Sequence, residues 1–345
     1  MKKMKALVKL KSGSGLWLEE KNIPEPGIND ILIRVKKSAI CGTDLHIYNW
    51  DEWAQKTIKT PITIGHEYVG HIAALGSGVK NFTIGDRVTG EGHIACGHCR
   101  NCWRGKKHIC ENTVGIGVHL DGCFAQYIRV PASNVLKISE HIDDDIVSIM
   151  DPFGNAAHTA LSFPLLAEDV LITGAGLIGS MAVGICKFAG ARNIVVTDLN
   201  EYRLAIARKM GATLAINPLK TSLHDAMQEL NIHKGFDIGL EMSGSPAAFN
   251  DMISEMYNGG KIALLGILPR ATGISWDKII FKGLTLKGIY GREMFETWYK
   301  MEQMLLCGLD ISPVITHRYH FTEFEKAFAV MKEGNCGKVI LDFEN

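Results

Sequence analysis

At residues 170–179 the chain reads Val170-Leu171-Ile172-Thr173-Gly174-Ala175-Gly176-Leu177-Ile178-Gly179, an apolar run that leads directly into a G-x-G-x-x-G pattern. Glycines at this spacing also arise by chance in a chain with 36 of them. The pattern is informative here because it follows a strand-like run and opens a helical stretch. In that position the helix N-terminus can present N–H groups to a pyrophosphate, which a bulkier loop would keep away. The stretch therefore predicts dinucleotide binding, with Gly174, Gly176 and Gly179 forming the phosphate loop.

An acidic residue follows where the second strand of such a fold should end. Asp198 lies nineteen positions after Gly179. A carboxylate there accepts hydrogen bonds from a ribose 2′-hydroxyl and repels a 2′-phosphate, which favours NAD over NADP. Two alternatives stay open: Asp198 caps the helix that follows it, and the nearby Arg203 weakens the preference for NAD.

Apolar strands alternate with helical stretches around this motif. Strands are predicted at residues 170–173, 193–197, 214–216, 236–241, 261–265 and 284–289. Helices are predicted at 201–210 and at 247–257, the second ended by Asn258-Gly259-Gly260. The alternation predicts an α/β fold with a doubly wound parallel sheet, the Rossmann arrangement, and helices on both faces.

The two ends of the chain have a different pattern. Short β-branched runs bounded by turns, at 30–40, 69–75 and 87–89, predict a mainly β domain over residues 1–152. The Rossmann domain is expected at 153–292, because its doubly wound half is complete near residue 290. A helix at 293–306, strands at 317–321 and 338–343, and a helix at 323–333 form the last segment. We expect this segment, 293–345, to return to the first domain.

Composition and charge exclude several classes of protein. The 345 residues are 46% hydrophobic and carry 37 Lys+Arg against 37 Asp+Glu, so no net field favours nucleic acid or anionic lipid. The longest uncharged run, 170–186, contains four glycines and suits a buried strand and helix better than a membrane span. The basic N-terminus lacks a signal h-region and a cleavage site, so we expect a globular, cytoplasmic protein.

Four of the nine cysteines crowd into a loop expected to form a lobe at about 91–115. They follow the spacing C-x2-C-x2-C-x7-C at Cys96, Cys99, Cys102 and Cys110. Four thiolates fill the tetrahedral shell of a zinc ion and leave no open position, which predicts a structural site. An iron–sulfur cluster is the competing interpretation, because ferredoxin-type sequences share short cysteine spacings.

A second set of metal ligands is dispersed. Cys41, His66 and Glu67 supply a sulfur, a nitrogen and an oxygen, and three protein ligands with one open position are typical of a catalytic zinc. Thr43 and His46 lie close to Cys41 and can carry away a released proton, because a hydroxyl both accepts and donates and an imidazole exchanges protons near neutrality. Taken singly, Cys41 favours a packing role, and His66-Glu67 is equally consistent with a strand-edge pair on the surface. Their combination with a dinucleotide fold favours a catalytic role.

Together these motifs resemble the zinc-containing medium-chain dehydrogenase/reductase superfamily, over the whole length of the chain. Longer strings resemble its L-threonine-oxidising branch: His46-Ile47-Tyr48-Asn49-Trp50-Asp51-Glu52-Trp53, Gly90-Glu91-Gly92-His93, Asp151-Pro152-Phe153-Gly154-Asn155 and Gly291-Arg292-Glu293-Met294-Phe295-Glu296-Thr297-Trp298. The resemblance implies a GroES-like catalytic domain beside the Rossmann domain, with the active site in the cleft between them. It also implies a homotetramer.

The resemblance further implies the roles of particular residues. Cys41, His66 and Glu67 would bind the catalytic zinc and the four-cysteine loop a structural zinc, while Thr43 and His46 would relay the proton. Asp151 would act near the metal without ligating it. The implied coenzyme contacts are Ile178, Asp198, Arg203, the backbone of Leu265-Gly266-Ile267, and Ile289-Tyr290.

The implied reaction is oxidation of the L-threonine 3-hydroxyl by NAD to L-2-amino-3-oxobutanoate. Another zinc dehydrogenase, acting on a polyol or a vicinal diol, is the nearest rival, because the metal and coenzyme motifs are shared. A non-catalytic zinc-binding module of the same fold is the rival from a different class. The open metal position together with Thr43 and His46 argues against the module.

Overall fold

The computed structural model describes residues 2–344 and divides into two compact units. The first unit is the chain up to Asp151 together with the chain from Ile315 onward, and the second is Pro152–Val314. The return to the first unit was predicted to begin at residue 293, which is wrong by about twenty residues. The segment after the helix at Glu296–Leu306 stays with the second unit, where Leu309 Cδ1 would lie 3.6 Å from a Cβ added to Gly184.

Short strands dominate the chain up to Asp151. The strands are β1 (Lys3–Lys9), β2 (Trp17–Asn22), β3 (Asp30–Ala39), β4 (Ile62–Thr63), β5 (Tyr68–Leu75), β6 (Arg87–Gly90), β7 (His93–Ile94), β8 (Val114–Gly115), β9 (Tyr127–Pro131) and β10 (Val135–Lys137). The helices are α1 (Gly42–Asn49), α2 (Glu52–Thr57), α3 (Arg100–Trp103) and α4 (Asp144–Ser148), and α5 (Met150–Ala160) runs across the boundary between the units.

Strands and helices alternate in the second unit. The strands are β11 (Asp169–Thr173), β12 (Asn193–Thr197), β13 (Leu214–Ile216), β14 (Phe236–Glu241), β15 (Met256–Leu264) and β16 (Thr285–Gly288). The helices are α6 (Leu177–Phe188), α7 (Glu201–Lys209), α8 (Leu223–Glu229), α9 (Pro246–Glu255), α10 (Trp276–Phe281) and α11 (Glu296–Leu306). The chain ends with β17 (Ile315–His320), α12 (Phe324–Glu333) and β18 (Lys338–Asp342).

The largest sheet of the first unit joins both ends of the chain. Its strand order is β10-β6-β5-β3-β18-β17, with β9 also paired to β3. Antiparallel pairing places Ser38 of β3 opposite Tyr68 of β5, and Ala39 opposite Ile340 of β18. The segments that follow β3, precede β5 and begin β18 therefore meet at one place in the sheet.

The second unit has one parallel sheet, which confirms the predicted fold class. Its order is β13-β12-β11-β14-β15-β16, so the chain reverses its direction of travel across the sheet between β11 and β14. The predicted strands at 193–197, 214–216 and 236–241 match the structure. The helix predicted at 247–257 ends earlier, at Glu255, because Met256 is extended and pairs with Phe236. The glycines at 259 and 260 therefore lie within β15 rather than at a helix end.

Each unit has its own apolar core. In the first unit Ile31, Ile33, Tyr68 and Phe124 are fully buried, and in the second Leu171, Val195 and Ile262 form the centre of the parallel sheet. Among residues 2–344 we find no helix that combines the length and the apolarity needed to cross a membrane.

Candidate metal centres and nucleotide-binding loop

The dispersed candidate metal ligands meet at the largest sheet of the first unit. Cys41 is the N-cap residue of α1 and lies two residues after the end of β3, while His66 and Glu67 immediately precede β5. The amide N–H of Ala39 donates to the carbonyl oxygen of Glu67 at 3.0 Å, which brings the two segments side by side. One ligand atom from each of Cys41, His66 and Glu67 lies within 4.8 Å of the others.

The donor set of this cluster suits zinc. Thiolate sulfur, imidazole nitrogen and carboxylate oxygen are the three ligand types that zinc takes from proteins. Glu67 is buried, and its Oε1 has no hydrogen-bond partner among the described residues. Because an unpaired buried carboxylate oxygen costs free energy, a cation at this position would compensate it. These residues therefore fit a metal with three protein ligands.

Carboxylates surround the imidazole of this cluster. Asp44 is fully buried, lies 4.0 Å from His66 Nδ1 through its Oδ1, and accepts a hydrogen bond from the Cys41 amide at 2.8 Å. Burial alone would lower the pKa of His66, but the negative charges of Cys41, Asp44 and Asp151 raise it well above 6.5. The groups that face His66 thus favour a positive charge at this position.

Thr43 and Asp151 lie beside the cluster. Thr43 Oγ1 is 3.8 Å from Cys41 Sγ, within the first turn of α1. Asp151 is in the first turn of α5, and a Cβ added to Gly92 would be 3.4 Å both from Asp151 Oδ2 and from His66 Cβ. Asp151 is therefore not one of the three residues whose ligand atoms converge, although its charge raises the pKa of His66.

His46 lies one turn further along α1 and is exposed. Its Nδ1 makes a short contact with the carboxylate of Asp51, and the ring of Trp53 meets it edge to face at a centroid distance of 6.1 Å. The side chain is 61% exposed, which suits a group that exchanges protons with water.

The four clustered cysteines also converge. Ligand atoms of Cys96, Cys99, Cys102 and Cys110 all lie within 4.8 Å of one another, with Cys99 Sγ 3.9 Å from Cys110 Sγ. The backbone N–H of His98 lowers the pKa of Cys96 to about 6, whereas burial raises the pKa of Cys102 to about 12. Within residues 2–344 none of the nine cysteines forms a disulfide. Backbone N–H groups aimed at sulfur stabilise thiolates, which are the ligand form for a metal.

The glycine-rich loop joins β11 to α6, as predicted. Gly174 has a φ of +90°, which favours glycine, and Gly176 is the N-cap residue of α6. A Cβ added to Gly179 would lie 1.9 Å from the carbonyl oxygen of Gly174, so the first turn of the helix packs against the loop only with glycine there. The N–H groups of this turn remain available for a phosphate.

Asp198 follows β12, and its carboxylate belongs to the loop rather than to the next helix. Its Oδ2 accepts a hydrogen bond from the amide of Ala175 at 2.8 Å. The helix cap is Asn200, whose side chain accepts from the amides of Tyr202 and Arg203. The alternative that Asp198 caps α7 is therefore wrong. The guanidinium of Arg203 lies 4.0 Å from Asp198.

The other implied coenzyme residues follow strand ends of the same sheet. The amides of Leu265 and Gly266, just after β15, both donate to the carbonyl oxygen of Glu241. Ile267 is 92% exposed, and Ile289 and Tyr290 come directly after β16. Ile178 is half-buried in the first turn of α6. Carboxyl ends of parallel strands meet at one edge, so these residues share an edge with the glycine loop.

Comparison with known proteins bears on both units. Residues 27–140 match the family "Alcohol dehydrogenase GroES-like domain" and residues 178–306 the family "Zinc-binding dehydrogenase". The chain is 61% identical over 342 residues to L-threonine 3-dehydrogenase of Vibrio parahaemolyticus, covering 99% of this chain and 100% of that protein. The chain belongs to the L-threonine 3-dehydrogenase family. As a family member it is an oxidoreductase that acts on CH–OH groups.

Solved structures place this L-threonine 3-dehydrogenase family member in a wider group of the same fold. An Escherichia coli CFT073 protein described as a short chain alcohol dehydrogenase, in complex with NADH, superposes with a TM-score of 0.90 at 29% identity, over 99% of each chain. The 2R,3R-butanediol dehydrogenase of Bacillus subtilis gives 0.88 at 25% identity, over 99% of this chain and 100% of that one. Because the second protein is named for a diol, the fold alone does not select the substrate.

Lys338 and Glu241 are buried charged residues of this fold that sequence reasoning missed. Lys338, the first residue of β18, lies 2.5 Å from Glu67 Oε2, and both side chains are almost fully buried. Burial alone would lower the pKa of Lys338, but the charges of Glu67 and Cys41 raise it, so the side chain stays an ammonium. A lysine that opens the apolar run Val339-Ile340-Leu341 was the signal that could have revealed it.

The second missed residue is Glu241, at the end of β14. Its Oε1 accepts from the amides of Ser243 at 3.0 Å and Gly244 at 2.9 Å, and the side chain is fully buried. Glu241 thereby fixes the loop that follows β14, next to the place between β11 and β14 where the strand order reverses. The adjacent Ser243-Gly244-Ser245 was a turn signal, but nothing local showed that Glu241 points inward.

Proposed function

We propose that this chain oxidises the 3-hydroxyl of L-threonine with NAD, giving L-2-amino-3-oxobutanoate and NADH. The observation that carries the chemistry is the meeting of Cys41, His66 and Glu67, with Glu67 Oε1 buried and unpartnered among the described residues. The choice of L-threonine is supported by the full-length similarity to a relative named for that substrate.

Two zinc ions per chain are part of the proposal. Cys96, Cys99, Cys102 and Cys110 would hold a structural ion, and Cys41, His66 and Glu67 a catalytic one. When bound at the second site, zinc supplies Lewis acidity that makes a substrate hydroxyl easier to deprotonate. Lys338 occupies Glu67 Oε2 and leaves Oε1 as the oxygen available to a metal.

The chain's own residues would remove the proton and hold the coenzyme. Thr43 Oγ1 lies on the metal side of α1 and can pass a proton towards His46, which is exposed to water. Asp198 beside the glycine loop would accept hydrogen bonds from the adenosine ribose and disfavour a 2′-phosphate, so NAD is the proposed coenzyme. A cytoplasmic homotetramer remains the proposed form of the protein.

The test is a steady-state assay with NAD and a panel of alcohols, before and after treatment with a chelator. We expect L-threonine to be the best substrate, and activity to disappear with the metal and return with added zinc. Far better turnover of 2,3-butanediol or sorbitol would contradict the substrate. Unchanged activity after removal of all metal would contradict the catalytic role of Cys41, His66 and Glu67.

A further inference from the structure

We propose that Asp51 is a positioning residue for His46: its carboxylate holds the imidazole so that Nε2 is the nitrogen that receives and releases the proton. The inference rests on the proposed role of His46 in proton transfer. It adds a third residue to the path from Thr43 to solvent.

The two carboxylate oxygens of Asp51 have separate partners. Oδ1 accepts a hydrogen bond from the amide of Ala54 at 3.0 Å, which makes Asp51 the N-cap residue of α2. Oδ2 contacts Nδ1 of His46. Because the cap fixes the orientation of the carboxylate, the oxygen that faces His46 is held in place by the start of α2.

The backbone joins the same two residues a second time. Trp50, between α1 and α2, has left-handed dihedral angles of φ 58° and ψ 46°, and this turn folds Asp51 back over the end of α1. The amide of Asp51 then donates to the carbonyl oxygen of His46 at 3.4 Å. Trp53, in the first turn of α2, covers the imidazole edge to face. His46 is thus exposed yet held from two directions.

The chemistry of the contact selects one tautomer. A neutral imidazole has one N–H and one lone pair, and an ionised carboxylate can only accept. The hydrogen bonds from the Ala54 amide and from His46 lower the pKa of Asp51, so its carboxyl is ionised near neutrality. The proton on the ring therefore sits on Nδ1, and the lone pair of Nε2 is free to accept another.

Proton balance is then simple. The O–H bond of the hydroxyl that hands on the proton breaks as a new N–H bond forms at Nε2, and this N–H bond breaks when the proton passes to water. The Nδ1–H bond is never broken, and the carboxylate stabilises the ring while it is a cation. If Asp51 acted only as a helix cap, it would need only Oδ1, and serine or asparagine could supply an equivalent acceptor.

Variants separate the cap from the contact with His46. Asp51→Asn keeps an acceptor for the Ala54 amide but removes the charge that faces the imidazole. Asp51→Ser also caps a helix but is too short to reach the ring. Glu52→Gln is the matched control, because Glu52 carries the same charge one residue away, is exposed, and pairs with Lys56 instead.

The experiment uses the zinc-loaded full chain, with kinetics and nitrogen-15 spectra of the histidine rings. For Asp51→Asn and Asp51→Ser we expect kcat with L-threonine to fall about tenfold or more, with little change in KM for NAD. Added hydrogen phosphate, a diffusible base, should restore part of the loss. The His46 spectrum should change from the Nδ1–H tautomer to a mixture, and Glu52→Gln should match the parent.

Three results are decisive. An unchanged tautomer with kcat within about twofold of the parent would overturn the inference. A loss of kcat that follows a loss of thermal stability and is not rescued by phosphate would assign Asp51 to the cap alone. Failure of the parent to oxidise L-threonine would contradict the proposed function, whereas the tautomer spectrum tests the Asp51 contact independently of the substrate.

Discussion

Asp198 has a structural role in the glycine loop and a proposed role in coenzyme recognition. Its Oδ2 accepts from the amide of Ala175 in the glycine loop, and its Oδ1 accepts from the amide of Asn200. The carboxylate therefore supports the loop and also carries the charge that would repel a 2′-phosphate. Replacing it with alanine would disturb both, whereas asparagine keeps an acceptor for the loop.

For Asp198→Asn we expect discrimination against NADP to relax by about tenfold, which corresponds to a free-energy difference of roughly 1.4 kcal/mol. The affinity for NAD should fall less, because the amide oxygen of asparagine still accepts from Ala175. The measurement is kcat/KM with each coenzyme at saturating L-threonine. Glu201→Gln, which removes a nearby exposed charge paired with Lys220, is the control. An unchanged coenzyme ratio would remove Asp198 from coenzyme selection.

Ion pairs connect the start of helix α4 to the strands beside it. Asp144 pairs with Arg87 of β6 at 2.6 Å and with Lys36 of β3 at 2.7 Å. Arg87 is almost fully buried and also donates to the carbonyl oxygens of Ser139 and Ile142. Burial alone would raise the pKa of Asp144, but the hydrogen bonds from Lys36 and Arg87 outweigh it and lower the pKa below 3.8. The start of α4 is thereby joined to the largest sheet.

A depressed pKa makes this stabilisation depend on pH. The contribution is present above the pKa of an unfolded aspartate, about 3.9, and is lost as pH falls through the lower value of the folded state. Asp144→Asn should destabilise the protein by about 2 kcal/mol near pH 7, and the difference from the parent should narrow towards pH 3.5.

Urea unfolding of parent and variant at both pH values measures this effect. Glu140→Gln is the matched control, because Glu140 is exposed and lies 3.9 Å from Arg87. A difference that stays constant with pH would show that Asp144 acts through packing rather than through its charge.

At the scale of the whole molecule, the chain leaves the first unit at Asp151 and returns at Ile315. The returning strand β18 pairs with β3 and supplies Lys338 to Glu67. The first unit is therefore complete only with its C-terminal strands, since β3 otherwise has an open edge beside the candidate metal ligands.

A chain that ends at Val314 should consequently fail to hold metal at Cys41, His66 and Glu67. Loss of β18 exposes the β3 edge and leaves Glu67 buried without its ammonium partner, which costs several kcal/mol. Zinc content by elemental analysis and urea unfolding test this expectation. Lys338→Met in the full chain isolates the contribution of the ammonium. Full metal content in the truncated chain would show that the first unit is complete without its C-terminal strands.

Residues close together in the sequence could be predicted well. The glycine loop, the four-cysteine lobe and the strands of the parallel sheet depend on spacings within a few residues, which local backbone geometry converts directly into structure. The same reasoning failed at β15, where pairing of Met256 with Phe236 overrode the glycine signal for a helix end. It also placed the return of the chain too early, because the packing of Leu309 near Gly184 has no local signature.

The amino-acid sequence by itself determined the fold class, the donor types of both candidate metal sites and the position of the glycine loop. Only the tertiary structure decided which oxygen of Glu67 pairs with Lys338 and that Asp51 faces His46. It also decided that Asn200, and not Asp198, caps helix α7. The physical reason is that these contacts depend on the register between strands distant in the chain and on single backbone angles, such as those of Trp50. The hydrophobic pattern and the motif spacing specify neither this register nor these backbone angles.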